Sequence, residues 1–555
     1  MESQDDKPGI RQCLLVHWRG VIISVLPLIF LIATFINDTL PFRCLYVIIS
    51  MFICWLTEIF PFAITAMFPI VAFPLMNILS SDKTCSLYFK ETLVMFIISI
   101  MIALTMEFTN LHTRLAINII KFYGSCPRRL HLLLVVVTAF LSMLIPNAAC
   151  VALMYPLTNA ILDRLSSQGM CKLYEDDSAD TPKTEKKPSK LAICFYLSVA
   201  YASSMGGSAN LMGTPANLEF IEVYEDKFPD SPDDIDFGNF LSYALPQMIV
   251  YTGLMYLVME FTHMGLFRSK SPEAMALRFS SEEKLAAQRM ANDKYEENGS
   301  INVSQCITAT LIIAMICMIF TREPEFSEGW GELVNGKEVL NASVTTIIIF
   351  LIFSLPAKIT FLKCWDVSSV GTTPALLNWK FVNSVLPWNL VFIIGCGGAI
   401  AEGCKTSGFQ SLLGDSLSCL KHLPAPLSLL IAIIFMEICT NLTVNAAVIS
   451  VIAPGVLQLA AESKAHPLYF MFPVGLAGSM AFLMPSATAP NALMAAYANI
   501  KPCDMVLAGI GPSIASVITI YIFSQSWALL IYPDLLKYPE WADGNATLPI
   551  VEDNE

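Results

Sequence analysis

Two short segments of similar sequence contain the side chains best suited to hold a small anion. Residues 146–149, the first tip, read Pro-Asn-Ala-Ala, and residues 444–447, the second tip, read Val-Asn-Ala-Ala. Each Asn is followed nine residues later by a proline, Pro156 or Pro454. An Asn at the start of a helix places a neutral donor beside unpaired backbone N–H groups and a positive dipole end. Such a group can hold a carboxylate or another oxyanion.

A long apolar segment follows each tip and is interrupted by Thr-x-x-Asn. The first break, residues 213–217, reads Gly-Thr-Pro-Ala-Asn, and the second break, residues 487–491, reads Ala-Thr-Ala-Pro-Asn. Neither the tips nor the breaks contain Lys or Arg. A fixed cation is therefore not responsible for recognition, and a neutral site lets a polyanion bind and leave again. The predicted substrate-binding residues are Asn147, Ala148, Thr214, Asn217, Asn445, Ala446, Thr488, Ala489 and Asn491.

The tips and breaks lie among apolar stretches that are long enough to cross a bilayer and would position them. A crossing helix needs about 20 mostly apolar residues. The predicted spans are 20–36, 44–60, 63–80, 91–108, 191–222, 240–261, 303–320, 343–360, 387–403, 466–499 and 506–532. The chain is therefore predicted to be an all-α polytopic membrane protein with about 11 transmembrane helices.

Two further apolar stretches, 132–163 and 424–460, do not fit simple crossings. As one straight helix the first would reach about 47 Å, more than a hydrocarbon core of about 30 Å, and its middle is interrupted at the first tip. Lys and Arg occur on both sides of it, in 114–129 and 164–190, and basic loops mark the cytoplasmic side. This stretch is therefore predicted to be a re-entrant hairpin that enters and leaves on one side.

Five predicted spans separate the two hairpins, so the second hairpin is expected to enter from the outer face. The fold is then an inverted-topology repeat, which places substrate near the bilayer midplane at discontinuous helices. The basic loop 262–302 is predicted to be cytoplasmic and the acidic loop 223–238 to lie outside. This arrangement puts the N-terminus in the cytoplasm and the C-terminus outside. The sequons at Asn341 and Asn545 then fall outside, where glycosylation is expected.

Scaffold and transport parts alternate along the chain. The predicted units are the cytoplasmic N-terminus 1–19, scaffold helices 20–131, the first hairpin and broken helix 132–222, a second scaffold part 223–403 with the cytoplasmic loop 262–302, the second hairpin and broken helix 404–500, the last transmembrane helix 501–532 and the extracellular tail 533–555. The two units with a hairpin and a broken helix form the predicted transport domain.

Several of these residues also have a plainer interpretation. An Asn in an apolar helix can simply hydrogen-bond a neighbouring helix, and the two prolines can be plain kinks. Acids within spans are functional candidates by default, although several lie close to predicted ends, where a solvated role is an equal alternative. These acids are Glu107, Glu219, Glu402 and Glu437. A second tip built on Thr440 and Asn441 is an alternative register, and the proline spacing favours Asn445.

Composition narrows the class of protein. Hydrophobic residues make up 55% of the 555 positions and charged residues 14%, whereas a soluble chain carries about 25% charged residues. The net charge of −13 argues against a nucleic acid partner, and no nucleophile elbow, HExxH or P-loop indicates an enzyme. The 16 Cys show no paired framework and are interpreted as buried apolar side chains. No cofactor is predicted, and the expected partners are the lipid bilayer and small carboxylates.

At its tips and breaks the chain resembles solute carrier family 13, the divalent anion/sodium symporters, and most closely its INDY ("I'm not dead yet") carboxylate transporters. The most specific matches are residues 479–493 and 201–207, and 466–469 is a weaker one. The resemblance covers nearly the whole chain. It implies transport of citrate, succinate and related acids, or sulfate in one branch, across the plasma membrane. It also implies a homodimer with a static scaffold and a mobile, elevator-type transport domain.

The resemblance also implies roles for the tip residues. Family tips normally read Ser-Asn-Thr, where Asn and Thr contact the substrate carboxylate and Ser helps to form the sodium sites. Asn147 and Asn445 keep the Asn, whereas Ala148 and Ala446 stand where Thr is usual. Thr488 matches the substrate-contacting Thr of the second break.

Neither tip has a side-chain oxygen at the position where the family has Ser. Pro146 and Val444 stand there, and hard cations need several oxygen ligands. The prediction is therefore carboxylate transport by exchange or facilitated movement without a strict sodium requirement, as in the cation-independent INDY branch. No metal site is assigned, and any sodium site would lie near Thr443, Asn147 and Asn445. The alternatives are a sodium-coupled dicarboxylate or sulfate symporter, a transport-dead scaffold, and a membrane-embedded enzyme or receptor.

Overall fold

The computed structural model describes most of the chain between residues 39 and 542. The described ranges are 39–57, 59–89, 91–123, 126–174, 187–228, 237–268, 270–277, 299–321, 341–356, 375–386, 388–441 and 444–539, with short pieces at 20, 25, 231, 235, 289, 292–293, 295–297, 329–330 and 541–542. The N-terminus 1–19, most of the predicted span 20–36, Thr443, Asn545 and the tail beyond 542 lie outside the described residues.

The described part of the first half is built from helices. Proline occupies the first turn of several of them, where its missing N–H costs nothing. In chain order the helices are α1 (Leu40–Thr57), α2 (Phe62–Ala66), α3 (Phe68–Leu75), α4 (Ser81–Leu87), α5 (Glu91–Phe108), α6 (Leu111–Tyr123), α7 (Pro127–Ser142), α8 (Asn147–Ser167), α9 (Lys190–Gly207), α10 (Pro215–Lys227), α11 (Phe237–His263) and α12 (Pro272–Ala276). A 3₁₀ turn, Leu211–Gly213, lies between α9 and α10.

The described part of the second half repeats this pattern. Its helices are α13 (Val303–Phe320), α14 (Asn341–Ser354), α15 (Trp379–Val385), α16 (Trp388–Thr406), α17 (Phe409–Ser418), α18 (Ala425–Thr440), α19 (Asn445–Glu462), α20 (Pro467–Gly478), α21 (Ala489–Ala498), α22 (Pro502–Gln525) and α23 (Ala528–Ile531). A 3₁₀ turn, Cys419–His422, follows α17. The sequon residue Asn341 begins α14, and its glycosylation stays a prediction.

The predicted spans differ in how continuous they are. Two helical segments, Asn239–His263 and Pro502–Ile531, are long and apolar enough to cross a membrane by length and composition alone. The predicted span 63–80 is helical from 62 to 75 except at Met67, a single turn residue that separates α2 from α3. Pro69 lies in the first turn of α3 and has no N–H to continue a hydrogen-bond ladder from α2.

Each stretch predicted to form a hairpin contains two helices. Residues 143–146 form the turn between α7 and α8, and residues 441–444, of which 442 and 443 lie outside the described part, separate α18 from α19. The first helix of each pair has 16 residues, and the two helices of each pair are in contact. Pro146 and Val444 are the N-cap residues of α8 and α19. The helix boundaries thus coincide with both tips, while the membrane face that each pair enters stays a prediction.

Helices of one half pack against broken helices of the other half. α8 packs against α21, and α19 packs against α10. Tyr155 of α8 stacks on Tyr497 of α21 with 4.7 Å between ring centroids. The hydroxyl of Tyr201 on α9 donates to the carbonyl oxygen of Phe482, which precedes the second break, at 2.9 Å. The tips and breaks therefore belong to one continuous packed unit.

Two shorter helices precede the helix pairs, α6 before α7 and α17 before α18. Arg114 anchors α6, because it is buried and its Nε donates to Oε1 of Gln305 at 2.9 Å. The same guanidinium donates to the carbonyl oxygens of Gly299 and Ser300 at 3.1 and 2.9 Å. These bonds hold α6 against the start of α13. Neither helix is a continuous apolar stretch, so neither was predicted from the sequence.

Candidate functional site

The first tip is organised by hydrogen bonds to two serines. Asn147 is the first residue of α8, and the hydroxyl of Ser142, at the end of α7, donates to its Oδ1 at 2.8 Å. The Ser142 hydroxyl also lies 2.8 Å from the carbonyl oxygen of Ser203 on α9. The Ser203 hydroxyl in turn donates to the carbonyl oxygen of Asn147 at 2.9 Å. The side chain and backbone of Asn147 are therefore both fixed by neighbouring helices.

The second tip repeats this arrangement with a threonine. Asn445 is the first residue of α19, and the hydroxyl of Thr440, at the end of α18, lies 2.9 Å from its Oδ1. The same hydroxyl lies 2.6 Å from the carbonyl oxygen of Gly478, at the end of α20. In both tips the hydroxyl comes five residues before the Asn. This equivalence supports Asn445, rather than the alternative Asn441, as the partner of Asn147 in the repeat.

The hydroxyl contacts determine which way each amide points. Oδ1 is the amide atom of Asn147 and of Asn445 that lies next to the hydroxyl, so the Nδ2 groups are turned away from these contacts. Among the hydrogen bonds of the described residues, none uses either Nδ2 group, and both side chains are partly exposed. Ala148 and Ala446 are also partly exposed. Each tip thus offers an amide donor at a helix N-terminus, which suits a carboxylate. No hydrogen bond of the described part joins the two tips directly.

Two glycines allow the helices to come close to the tips. A Cβ atom on Gly207, at the end of α9, would overlap Oδ1 of Asn147. A Cβ atom on Gly397, in α16, would overlap the side chain of Val444. Both positions therefore require glycine for the tips to keep this geometry.

The Asn residues of the two breaks have an internal structural role. Asn217 and Asn491 are fully buried. Nδ2 of Asn217 donates to the carbonyl oxygens of Ser208 and Asn210 at 3.2 and 2.8 Å. Nδ2 of Asn491 likewise donates to two carbonyl oxygens of the preceding loop, those of Ala481 and Met484, at 2.8 and 3.4 Å. In each half, the Asn amide holds the non-helical loop of the break against the helix that follows it, α10 or α21. Their contact with substrate stays a prediction.

The threonines of the breaks begin the second half-helices. Thr488 is the N-cap of α21, and its hydroxyl accepts a bond from the N–H of Asn491 at 3.3 Å. Thr214 is the N-cap of α10 without such a side-chain bond. Both threonines are largely buried, and Ala489, the first residue of α21, is partly exposed. The breaks therefore add two helix N-termini to those of the tips.

Side-chain amides also connect each tip to the break of the same half. Nδ2 of Asn210, before the first break, donates to the carbonyl oxygen of Met143 at 2.6 Å. In the second half the N–H of Leu483 donates to Oδ1 of Asn441 at 2.7 Å. A movement of either tip is therefore transmitted to its break.

The similarity to known proteins extends along almost the whole chain. The family model described as "Sodium:sulfate symporter transmembrane region" matches residues 15–532. The chain belongs to this family. The resemblance to solute carrier family 13 is thereby confirmed, and the protein is a multi-pass membrane protein of a transporter family.

Several relatives match this chain at nearly full length. It is 42% identical over 538 residues to "Protein I'm not dead yet" of Drosophila melanogaster, covering 95% of this chain and 91% of that protein. It is 31% identical over 533 residues to "Na(+)/citrate cotransporter" of Rattus norvegicus, covering 90% and 93%. It is 30% identical over 570 residues to "Na(+)/dicarboxylate cotransporter 3" of Homo sapiens, covering 95% and 94%.

The acids predicted as functional candidates have different surroundings in this family member. Glu402 of α16 pairs with Lys83 of α4 at 2.6 Å, and both side chains are partly exposed. Glu107 and Glu219 are partly exposed as well. Glu437 of α18 is buried. Only Glu437 of these four is therefore a fully enclosed carboxyl group.

A buried charged cluster that the sequence analysis missed joins α7 to α11. Glu260 of α11 is completely buried, with Oε1 3.0 Å from Nδ1 of His131 and Oε2 3.3 Å from Nε of Arg128. The thiol of Cys194 on α9 lies 3.9 Å from Nε2 of His131. The cluster brings together residues that are 129 positions apart, so sequence spacing gives no signal for it.

Removing the hydroxyls that orient the tips is expected to weaken carboxylate binding. Ser142→Ala and Thr440→Val each remove a neutral hydrogen bond, whose net value of about 0.5–1.5 kcal/mol corresponds to a KM raised by about twofold to tenfold. Radiolabelled citrate uptake by cells or proteoliposomes measures the effect. Thr308→Val is the matched control, because Thr308 is buried without a hydrogen-bond partner among the described residues. An unchanged KM in both tip variants would show that the hydroxyls do not orient the amides.

Proposed function

We propose that this chain is a secondary transporter that moves di- and tricarboxylates, such as citrate and succinate, across the plasma membrane. The observation that carries this function is the pair of oriented amides, since Ser142 and Thr440 occupy the Oδ1 atoms and leave the Nδ2 donors for an anion. The printed names of two relatives, which give citrate and dicarboxylate as their cargo, support this substrate class.

The two tips suit a substrate with more than one carboxylate. Each tip combines an Nδ2 donor with the unpaired N–H groups of a helix N-terminus, and a helix N-terminus favours an anion by its dipole. A dicarboxylate places one charged group at Asn147 and the other at Asn445. Because both tips are neutral, the complex forms without a permanent ion pair and dissociates readily on the other side.

The transport cycle that we propose is an elevator movement in a homodimer. The transport domain consists of the units 132–222 and 404–500, and the remaining helices form the scaffold. The packing of α8 on α21 and of α19 on α10 supports this division, because it unites the helix pairs and broken helices of both halves. The N-terminus is proposed to be cytoplasmic and the C-terminus extracellular.

We also propose that transport does not require sodium. Pro146 and Val444 offer no side-chain oxygen at the N-caps of α8 and α19. Oδ1 of Asn147 and of Asn445 lies within hydrogen-bond distance of a hydroxyl group, so these oxygens are less available to a cation. Hard cations need several oxygen ligands at once. The second candidate is a sodium-coupled symporter, which the names of the two cotransporter relatives favour.

Replacing sodium in the uptake buffer separates these two candidates. Proteoliposomes containing the purified chain are expected to take up radiolabelled citrate and succinate at the same rate when choline replaces sodium. The reason is that no step of the proposed cycle uses the cation. Empty liposomes give the background. Complete loss of uptake in choline would establish the sodium-coupled symporter, and no uptake in either buffer would favour a transport-dead scaffold.

A further inference from the structure

Two cysteine side chains from opposite halves of the chain touch each other at the ends of their helices. Sγ of Cys44, in α1, lies 3.8 Å from Sγ of Cys404, in the last turn of α16. Both residues are buried, with 0% and 3% of their surface exposed. Among the cysteines of the described residues, all of which are free, no other two sulfur atoms lie within hydrogen-bond distance. The contact therefore sets this pair apart from the other described cysteines.

The end of α3 holds both cysteine-bearing helix ends in place. On the side of α1, Nη1 of Arg43 donates to the carbonyl oxygen of Met76, the residue after α3, at 2.9 Å. On the side of α16, a Cβ atom on Gly403 would overlap the ring of Phe73 of α3, so this position requires glycine for the close approach. Because both helices pack against the same third helix, the two thiols are brought together by the fold rather than by a flexible loop.

Thiol groups in this arrangement can form a disulfide by exchange. The sulfur atoms of a disulfide are about 2.05 Å apart, so closing the gap from 3.8 Å requires rotations of the two side chains. One cysteine thiolate attacks a small disulfide, such as oxidised glutathione, and releases one reduced thiol; the second cysteine then displaces the other. The two protein thiols thereby give up two protons and two electrons, which the small disulfide takes up as two thiols.

The location of the pair exposes it to an oxidising compartment. Thr39, just before α1, and Lys405, next to Cys404, are exposed, so the two buried sulfur atoms lie close to the ends of their helices. In the membrane orientation of the proposed function, on which this step rests, α1 begins and α16 ends on the outer face. Disulfides form in the lumen of the endoplasmic reticulum and persist at the cell surface. The bond can therefore form during folding, before packing covers the thiols.

We infer that Cys44 and Cys404 are joined by a disulfide in the transporter at the cell surface. The two residues are 360 positions apart, and a bond that closes so long a loop restricts the unfolded chain more than a short one does. The bond links the first half of the chain to the second on the outer face. It also fixes α16, whose Gly397 packs closely against Val444 of the second tip.

Mass spectrometry of the full chain isolated from the cell surface tests the inference. Free thiols are blocked with N-ethylmaleimide before lysis, and the chain is digested without a reductant. A peptide pair linked through Cys44 and Cys404 is expected, and dithiothreitol should separate it. Cys44→Ala and Cys404→Ala should both lose the linked pair. Cys54→Ala is the matched control, because it removes another buried thiol of α1, and it should keep the pair.

Thermal unfolding of the purified chain measures what the bond contributes. Dithiothreitol is expected to lower the melting temperature of the wild type and of Cys54→Ala by several degrees, since reduction removes a restraint on the unfolded chain. The melting temperature of Cys44→Ala should not respond to dithiothreitol, because this variant has no bond to reduce. Citrate uptake should be the same with and without the bond, since α1 and the span 387–403 both belong to the proposed scaffold.

N-ethylmaleimide or free thiols at both positions of the folded surface chain would overturn the inference. Equal responses of the wild type and Cys44→Ala to dithiothreitol would overturn it too. If neither alanine variant folds, the linked peptide of the wild type still decides the question. A linked peptide in a chain that takes up no carboxylate would refute the proposed function and support this inference, whereas free thiols in an active transporter would overturn this inference alone.

Discussion

Replacing Asn147 or Asn445 by Ala is expected to remove most carboxylate uptake while the chain still reaches the membrane. Each substitution deletes a donor to a charged carboxylate, an interaction worth about 1.5–3 kcal/mol, which corresponds to binding weakened by about tenfold to a hundredfold. It also removes the Oδ1 contact of the Ser142 or Thr440 hydroxyl, which keeps the neighbouring carbonyl oxygen of Ser203 or Gly478 as its acceptor. Radiolabelled citrate and succinate uptake, normalised to surface expression, measures the loss.

A control on the same helix separates a site effect from a general loss of an amide. Asn159 of α8 accepts a hydrogen bond from the hydroxyl of Tyr196 at 2.8 Å, far along the helix from the tip. Asn159→Ala is expected to keep substantial uptake, whereas Asn147→Ala does not. Normal uptake in both tip variants would refute the proposed site, because the proposal gives Nδ2 of each Asn a direct contact with the carboxylate.

The positions of the tips could be predicted from the sequence because local chemistry determines them. Pro146 cannot continue a helix, and it marks the start of α8. The Thr-x-x-Asn pattern likewise predicted where α10 and α21 begin, since Thr488 caps the N–H of Asn491. The internal repeat strengthened each of these predictions, because the same signal occurs twice in the same order.

The hydroxyl groups that contact the tip amides were not predicted, although the sequence contains a signal for them. Ser142 and Thr440 both stand five residues before the tip Asn, and a comparison of the two repeats would have found them. Which neighbouring carbonyl each hydroxyl reaches depends on how α9 and α20 pack against the tips. Hydropathy alone also gave no sign of the turn at Met67 between α2 and α3, because Pro69 and its neighbours remain apolar there.

Replacing Glu260 by Ala is expected to destabilise the whole fold rather than to alter substrate selectivity. Glu260 is fully buried between His131 and Arg128, and removing one partner of a buried ion pair costs about 3–5 kcal/mol. A large fall in melting temperature and in the yield of folded protein should follow. Glu222→Ala, which changes an exposed acid on α10, is the control and should melt like the wild type.

The reason for so large an effect is that the cluster connects two helices that are distant along the chain. His131 and Arg128 belong to α7, the first helix of the first pair, and Glu260 belongs to α11, which follows the first broken helix. Without the carboxylate, Arg128 can still reach the carbonyl oxygen of Met264 at 3.1 Å, whereas His131 loses its only strong acceptor among the described residues. An unchanged melting temperature of Glu260→Ala would therefore mean that α7 and α11 are held together by apolar packing alone.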